Sequence, residues 1–90
     1  MSKESEGMVK LEATFRAADG ITPDLAAEII QRASRFDSVT ELEMGNKRVV
    51  LGSLIGILSL ELREGTQVRI IAEGRDEEKA AGSIRELIEA

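Results

Sequence analysis

EGTQVRIIAEGRDEEKA, residues 64–80, is the stretch in which the hydrophobic pattern of the chain changes from that of a strand to that of a helix. Residues 66–74 are typical of a β-strand that ends at Gly74. Residues 76–90 predict a helix that begins after the N-cap Asp76, with two glutamates in its first turn. Its inner stripe consists of Ala80, Ile84, Leu87 and Ile88. The C-terminal part of the chain is therefore predicted as a strand followed by a helix.

A second strand and helix are predicted near the start of the chain. In MVKLEATFR, residues 8–16, apolar and polar side chains alternate, which predicts a half-buried strand. After AADG, Thr22 and Pro23 indicate a helix start, because a threonine hydroxyl accepts from free amides and proline fits the first helical position. The helix is predicted over about 23–35 from apolar residues at helical spacing: Ala26, Ile29, Ile30 and Ala33.

The middle of the chain contains a hairpin and a short apolar run. SVTELEM (38–44) and KRVVL (47–51) flank Gly45-Asn46, a turn typical of two antiparallel strands. SLIGILSL (53–60) is almost wholly apolar, and periodicity alone leaves helix and strand open. Ser53 as an N-cap favours a helix.

The predicted element order is β-α-β-β-α-β-α. Helices with one apolar stripe and strands that alternate must pack on each other, so the fold class is α+β, a two-layer domain with three helices on one face of a four-stranded antiparallel sheet. Residues 1–7, MSKESEG, are predicted to be a flexible N-terminal extension of a domain over 8–90.

The composition restricts the possible partners. With 12 Lys and Arg against 17 Asp and Glu, the formal net charge is −5, which disfavours nucleic acid and anionic membrane surfaces. The chain has two Phe and no Tyr or Trp, so it lacks the stacking platforms of single-strand nucleic-acid binders. For the same reason the core is expected to be aliphatic.

The chain also contains no histidine and no cysteine. Two of the commonest catalytic and metal-binding side chains are therefore absent, and we expect neither a metal site nor a cofactor. The lack of cysteine fits a reducing compartment, and the N-terminus has no apolar run of signal-peptide length, so the cytoplasm is the expected location.

Three blocks of the sequence resemble the HPr phosphocarrier family of the bacterial phosphoenolpyruvate-dependent sugar phosphotransferase system. GSLIGILSL (52–60) is similar to the family's regulatory-serine block, K-S-I-M-G-x-M-S-L. Residues 64–80 are similar to its G-T-x-hydrophobic run followed by A-x-G-x-D-E-x-x-A. GITPDLA (20–26) is similar to G-[LI]-H-A-R-P-A. The resemblance implies the HPr-like open-faced sandwich for residues 8–90.

The third block also implies a change of chemistry. The family's phosphorylated histidine corresponds to Thr22, and the arginine that stabilises its phosphate corresponds to Asp24. A threonine hydroxyl is a weaker nucleophile than imidazole, and its phosphate ester lacks the transfer potential of phosphohistidine. Thr22 is interpreted as an N-cap rather than a phosphorylated residue, and Asp24 as a carboxylate that replaces the bound anion at the helix start.

Ser53 has two compatible interpretations. It is a helix cap, and the resemblance also makes it the candidate for regulatory phosphorylation by the family's ATP-dependent serine kinase. Gly52 stands where the family usually has lysine. Together with Asp24 in place of arginine, this loss of cations weakens a phosphate-dependent partner contact.

A short helix that is apolar all round presents part of its surface to solvent in so small a domain. If Ile57 and Leu60 point inward, the exposed partner-binding patch consists of Leu54, Ile55 and Leu58, where the family docks its partners. The alternative is that the N-terminal tail or a dimer contact covers this patch.

The leading functional hypothesis is a regulatory or adaptor protein that is not an enzyme, similar to histidine-lacking HPr paralogues in carbon catabolite control. The expected partners are proteins, with a serine kinase and a transcriptional regulator as candidates; the oligomeric state is left open. One alternative is a phosphate-independent protein-binding module. The other is a phosphotransfer component that uses another residue.

Overall fold

A computed structural model describes residues 8–90. The predicted order of seven elements is confirmed. The strands are β1 (Val9–Thr14), β2 (Val39–Met44), β3 (Lys47–Val50) and β4 (Gln67–Glu73), and the helices are α1 (Pro23–Ala33), α2 (Leu54–Ser59) and α3 (Glu77–Ile88). The predicted N-terminal extension, residues 1–7, lies outside the described residues. The run 53–60, which periodicity left open, is a helix.

The four strands form one antiparallel sheet in the order β1-β4-β2-β3. The last strand, β4, lies in the middle, where Ile70 is in register with Leu11 of β1 and with Leu42 of β2. Ile70 and Leu42 are completely buried. All three helices lie on this face of the sheet, as in an open-faced sandwich, and α1 packs against both α2 and α3.

The core is aliphatic, as the composition predicts. Phe15 is its one fully buried aromatic residue within 8–90, and Phe36 is half-buried. The remaining large and fully buried side chains are Ile29, Leu42, Ile57, Leu60, Leu62, Ile70, Ile84 and Ile88. Within residues 8–90, no helix combines the length and the apolar character needed to cross a bilayer.

The opposite face of the sheet carries ion pairs between neighbouring strands. The guanidinium of Arg69 lies 3.2 Å from the carboxylate of Glu12 and 3.4 Å from that of Glu43. Arg48 pairs with Glu41 at 2.7 Å. Arg48, Arg69 and Glu12 are exposed, whereas Glu41 and Glu43 are half-buried. Surface ion pairs of this kind contribute little to stability.

Asp76 precedes α3 as predicted, but its side chain does not cap that helix. Its carboxylate accepts hydrogen bonds from the hydroxyl of Ser38 at 2.6 Å, the N–H of Ser38 at 3.0 Å and the N–H of Asp37 at 2.9 Å. The side chain of Glu77 instead accepts from the N–H of Gly74 at 3.0 Å. Asp76 therefore connects the β4–α3 turn to the start of β2.

Gly74 allows this close approach. Its φ is +150°, and a Cβ there would lie 2.7 Å from the Cα and Oγ of Ser38. Only glycine fits both the backbone conformation and the space. The β4–α3 turn therefore packs directly on the residue that Asp76 binds.

Candidate functional site

Thr22 is the N-cap of α1. Its backbone is extended, and its Oγ1 accepts a hydrogen bond from the N–H of Leu25 at 3.1 Å. Its carbonyl accepts from the N–H of Ala26 at 2.8 Å, and Pro23 occupies the first turn. The hydroxyl of Thr22 is thus engaged in holding the helix start, which is the geometry expected of a capping threonine.

Asp24 lies in the first turn of α1 and is exposed. Its carboxylate forms no ion pair with any residue of the described part of the chain. The helix N-terminus favours a negative charge at this position. The start of α1 therefore presents a hydroxyl already used for capping and a carboxylate open to solvent.

Ser53 is the N-cap of α2, which packs against α1. Its Oγ accepts from the N–H of Gly56 at 3.0 Å, and its carbonyl accepts from the N–H of Ile57. The residue is exposed, so its hydroxyl is reachable from solvent while it caps the helix.

The apolar residues of α2 divide between the core and the surface. Ile57 and Leu60 are buried, whereas Ile55 is 80% exposed and Leu54 is 40% exposed. Leu58, predicted to be exposed with them, is half-buried. We refer to Leu54, Ile55 and Leu58 as the α2 face. Of its three side chains, Ile55 is mostly in water and Leu54 is partly so.

An open cleft adjoins the α2 face. It is lined by residues 18–21, which precede α1, and by Leu58 and residues 61–64, which follow α2. The N–H of Ile21 donates to the carbonyl of Leu62 at 2.9 Å, which joins the two segments. Leu58 lines this cleft and is half-buried because it also packs against the core.

The sequence did not indicate the role of Glu61. It adopts a φ of +53°, the only residue other than glycine in residues 8–90 with a positive φ. A glycine at this position would have marked a helix end, but a glutamate gives no such signal. Glu61 precedes Leu62, whose carbonyl accepts the hydrogen bond that joins the two sides of the cleft.

Residues 9–90 match the family model described as the PTS HPr component phosphorylation site. The chain belongs to the HPr family. This HPr-family protein is 39% identical over 83 residues to the phosphocarrier protein HPr of Borreliella burgdorferi, a match that covers 92% of this chain and 96% of that protein. It is 38% identical over 73 residues to the HPr-like protein Crh of Bacillus subtilis, with 81% and 86% covered.

The fold of this HPr-family protein agrees with a solved structure of the family. The crystal structure of the phosphocarrier protein HPr from Bacillus anthracis superposes with a TM-score of 0.87 at 29% identity. The match covers 92% of this chain and 99% of the other. Because relatives named as a phosphocarrier and as HPr-like both match, family membership alone does not identify the role of this protein.

Proposed function

We propose that this HPr-family protein is a non-catalytic regulatory or adaptor protein that binds other proteins through the α2 face and carries no phosphate on α1. The observation that carries the proposal is the start of α1, where the hydroxyl of Thr22 is engaged with the N–H of Leu25 and the exposed Asp24 follows in the same turn. The chain offers no histidine elsewhere as a substitute.

The chemistry of the first turn supports this proposal. Thr22 occupies the position of the family's phosphohistidine, and a threonine ester does not pass its phosphate on as a phosphoramidate does. Asp24 adds a second obstacle, because its carboxylate would face an incoming phosphate where the family has an arginine. Both features oppose phosphotransfer at this site.

The α2 face supports a binding role. A small domain gains little stability from a side chain as exposed as Ile55, and Leu54 beside it is partly exposed. Exposed apolar patches are typical of interaction sites. The half-buried Leu58 continues this surface towards the cleft. The buried core of a protein interface consists largely of apolar side chains that the free protein exposes to solvent.

Regulation at Ser53 is part of the proposal. The exposed hydroxyl is accessible to a serine kinase, and a transcriptional regulator is a candidate partner of the modified form. The loss of cations near this site, with Asp24 and Gly52 in the positions of arginine and lysine, favours a second candidate function. In that case the protein is a phosphate-independent binding module of the cytoplasm.

Two phosphorylation assays test the proposal. Incubation with phosphoenolpyruvate and the first enzyme of the sugar phosphotransferase system is expected to leave the protein unlabelled, and acid-labile phosphate on the unmodified chain would contradict the proposal. Incubation with the serine kinase and ATP separates the two candidates. Acid-stable phosphate that is absent from Ser53→Ala supports regulation, and its absence from both forms supports the phosphate-independent module.

A binding assay tests the adaptor role itself. The protein immobilised as wild type, Ser53→Asp and Ile55→Gln is exposed to a cytoplasmic extract of its own source. A partner retained by wild type or by Ser53→Asp and lost with Ile55→Gln is the expected result. Equal retention of a partner by wild type and by Ile55→Gln would show that the α2 face is not the docking surface.

A further inference from the structure

Glu61 adopts a backbone conformation that is unfavourable for any residue other than glycine. It follows α2 directly, with a φ of +53°, and its N–H donates to the carbonyl of Leu58 at 3.1 Å. In this left-handed region the Cβ of an L-residue crowds the following carbonyl oxygen, so helix ends of this kind prefer glycine. The side chain is exposed and therefore gains no burial in return.

The charge of Glu61 is also unfavourable where it stands. The C-terminal end of a helix presents carbonyl oxygens, which disfavour a carboxylate. Among residues 8–90, no Lys or Arg lies within ion-pair distance of Glu61. Conformation and charge both cost folding stability here, and a residue of this kind is a candidate for a role in binding.

The charged residues around Glu61 indicate which kind of partner its carboxylate can bind. It lines the cleft next to Leu58 of the α2 face, together with the carboxylates of Asp19 and Glu64 and one cation, Arg63. Helix α1, which packs against α2, carries two further exposed carboxylates, Asp24 and Glu28. None of these five carboxylates forms an ion pair within the described part of the chain. The edge strand β3, which also contacts α2, carries the exposed cation Lys47.

We propose that the α2 face takes a protein partner whose contact surface has apolar side chains flanked by lysine or arginine, one of which pairs with Glu61. This inference rests on the proposed function, because it uses the same face, and it adds the charge of the partner. Carboxylates beside an apolar contact attract a cationic surface and repel an anionic one. The net charge of −5 supports the same choice of partner at long range.

A second copy of the chain is a poor occupant of this face. In a twofold contact the α2 face meets itself, so two copies that each carry a net charge of −5 are brought together. Like charges at an interface oppose association. A partner with lysine or arginine forms ion pairs with the carboxylates instead, so it is the favoured occupant.

Two designed helical peptides with identical leucine positions test the inference, one with lysine and one with glutamate at every flanking position. The lysine peptide is expected to shift the backbone amide signals of residues 54–61 in an NMR titration, with an affinity that falls as salt is added. Glu61→Gln should weaken this binding about two- to fivefold, the range of one exposed ion pair. Glu86→Gln, an exposed charge on α3, is the matched control and should change nothing.

The results separate this inference from the proposed function. Equal binding of both peptides, still lost with Leu54→Gln, would overturn the cationic partner and leave the α2 face as a docking site. Amide shifts confined to the ion-paired residues on the opposite face of the sheet would overturn both the cationic partner and the α2 face as a docking site. Binding that Leu54→Gln does not weaken would do the same. Sedimentation that shows dimers broken by Leu54→Gln would replace the cationic partner with a second copy.

A stability measurement on Glu61→Gly checks the premise without any partner. Glycine relieves the backbone and removes the carboxylate, so the melting temperature is expected to rise while binding of the lysine peptide weakens. A lower melting temperature for Glu61→Gly would show that Glu61 serves the fold, and it would overturn the inference.

Discussion

The carboxylate of Asp76 and the hydroxyl of Ser38, 38 residues apart in the chain, are joined by a hydrogen bond of 2.6 Å. This bond, followed by the one from the backbone N–H of Asp37, holds the pKa of Asp76 below its ordinary value of 3.8. A carboxyl whose pKa is lowered by folding stabilises the fold in its ionised form. The contact therefore contributes stability that depends on pH.

Asp76→Asn is expected to lower the melting temperature near neutral pH, because a neutral amide accepts weaker hydrogen bonds than a carboxylate. The stability due to ionised Asp76 is present above the unfolded pKa and is lost as pH falls through the lower folded pKa. Melting curves of both forms should therefore converge in the acid range below 3.8.

Asp37→Asn is the matched control for this pH series. This change also removes one negative charge, but the side chain of Asp37 takes no part in the contact. Asp37 contributes only its backbone N–H, which the substitution keeps. Its melting temperature should stay close to wild type. A pH-independent gap between Asp76→Asn and wild type would contradict the role of the ionised carboxylate.

Gly74→Ala is expected to destabilise the domain by about 1–3 kcal/mol or more, because the added Cβ combines backbone strain with a 2.7 Å approach to Ser38. Urea denaturation monitored by circular dichroism measures the change. Gly82→Ala gives the contrast: its added Cβ meets nothing within 4 Å inside α3. It should stabilise by about 0.5–1 kcal/mol through helix propensity. Equal effects of both changes would refute the close contact at Gly74.

Ile55→Gln should change the free energy of unfolding by less than about 1 kcal/mol, since its side chain is 80% exposed. Ile57→Ala, two residues along the same helix, should cost about 2–5 kcal/mol because Ile57 is completely buried. Both values come from the same denaturation experiment. A loss of several kcal/mol in Ile55→Gln would place Ile55 in the core and remove the proposed docking surface.

Thr22→His alone is expected to give little phosphorylation by phosphoenolpyruvate and the first enzyme, because Asp24 still opposes the phosphate. Adding Asp24→Arg should raise the acid-labile label, since the guanidinium binds the phosphate oxygens. Thr22→Asn with Asp24→Arg is the control, because asparagine keeps the cap without an imidazole. Equal labelling of the single and double variants would show that Asp24 is not an obstacle.

Local signals in the sequence predicted most of the fold. The alternation from Val9 to Phe15 and the Thr22-Pro23 helix start depend on neighbours within a turn or two, so they could be recognised without the structure. The element order followed from such signals, the two-layer arrangement followed from the apolar helix stripes and the alternating strands, and the resemblance to HPr implied the same fold. Element ends differ from prediction by one or two residues, as in α1, which ends at Ala33.

The parts that the sequence did not predict depend on distant contacts. Asp76 looks like a helix cap, but its partners lie at residues 37 and 38, which no local pattern connects to it. Glu61 carries no turn signal, although its φ is positive and it lines the cleft beside residues 18–21. Leu58 was expected at the surface, but it packs partly against core residues that are distant in the sequence. The partner-binding role of the α2 face stays a prediction.

The position of β4 in the sheet has a consequence for how the protein is made. Within residues 8–90, β4 is the last strand, yet it is the only one paired with β1 and it also pairs with β2. While the ribosome synthesises the chain from its N-terminus, β1 and the β2–β3 hairpin have no common partner until residues 67–73 have emerged. The sheet therefore assembles late in synthesis, and nascent chains that stop before Gln67 expose strand edges to which other chains can bind.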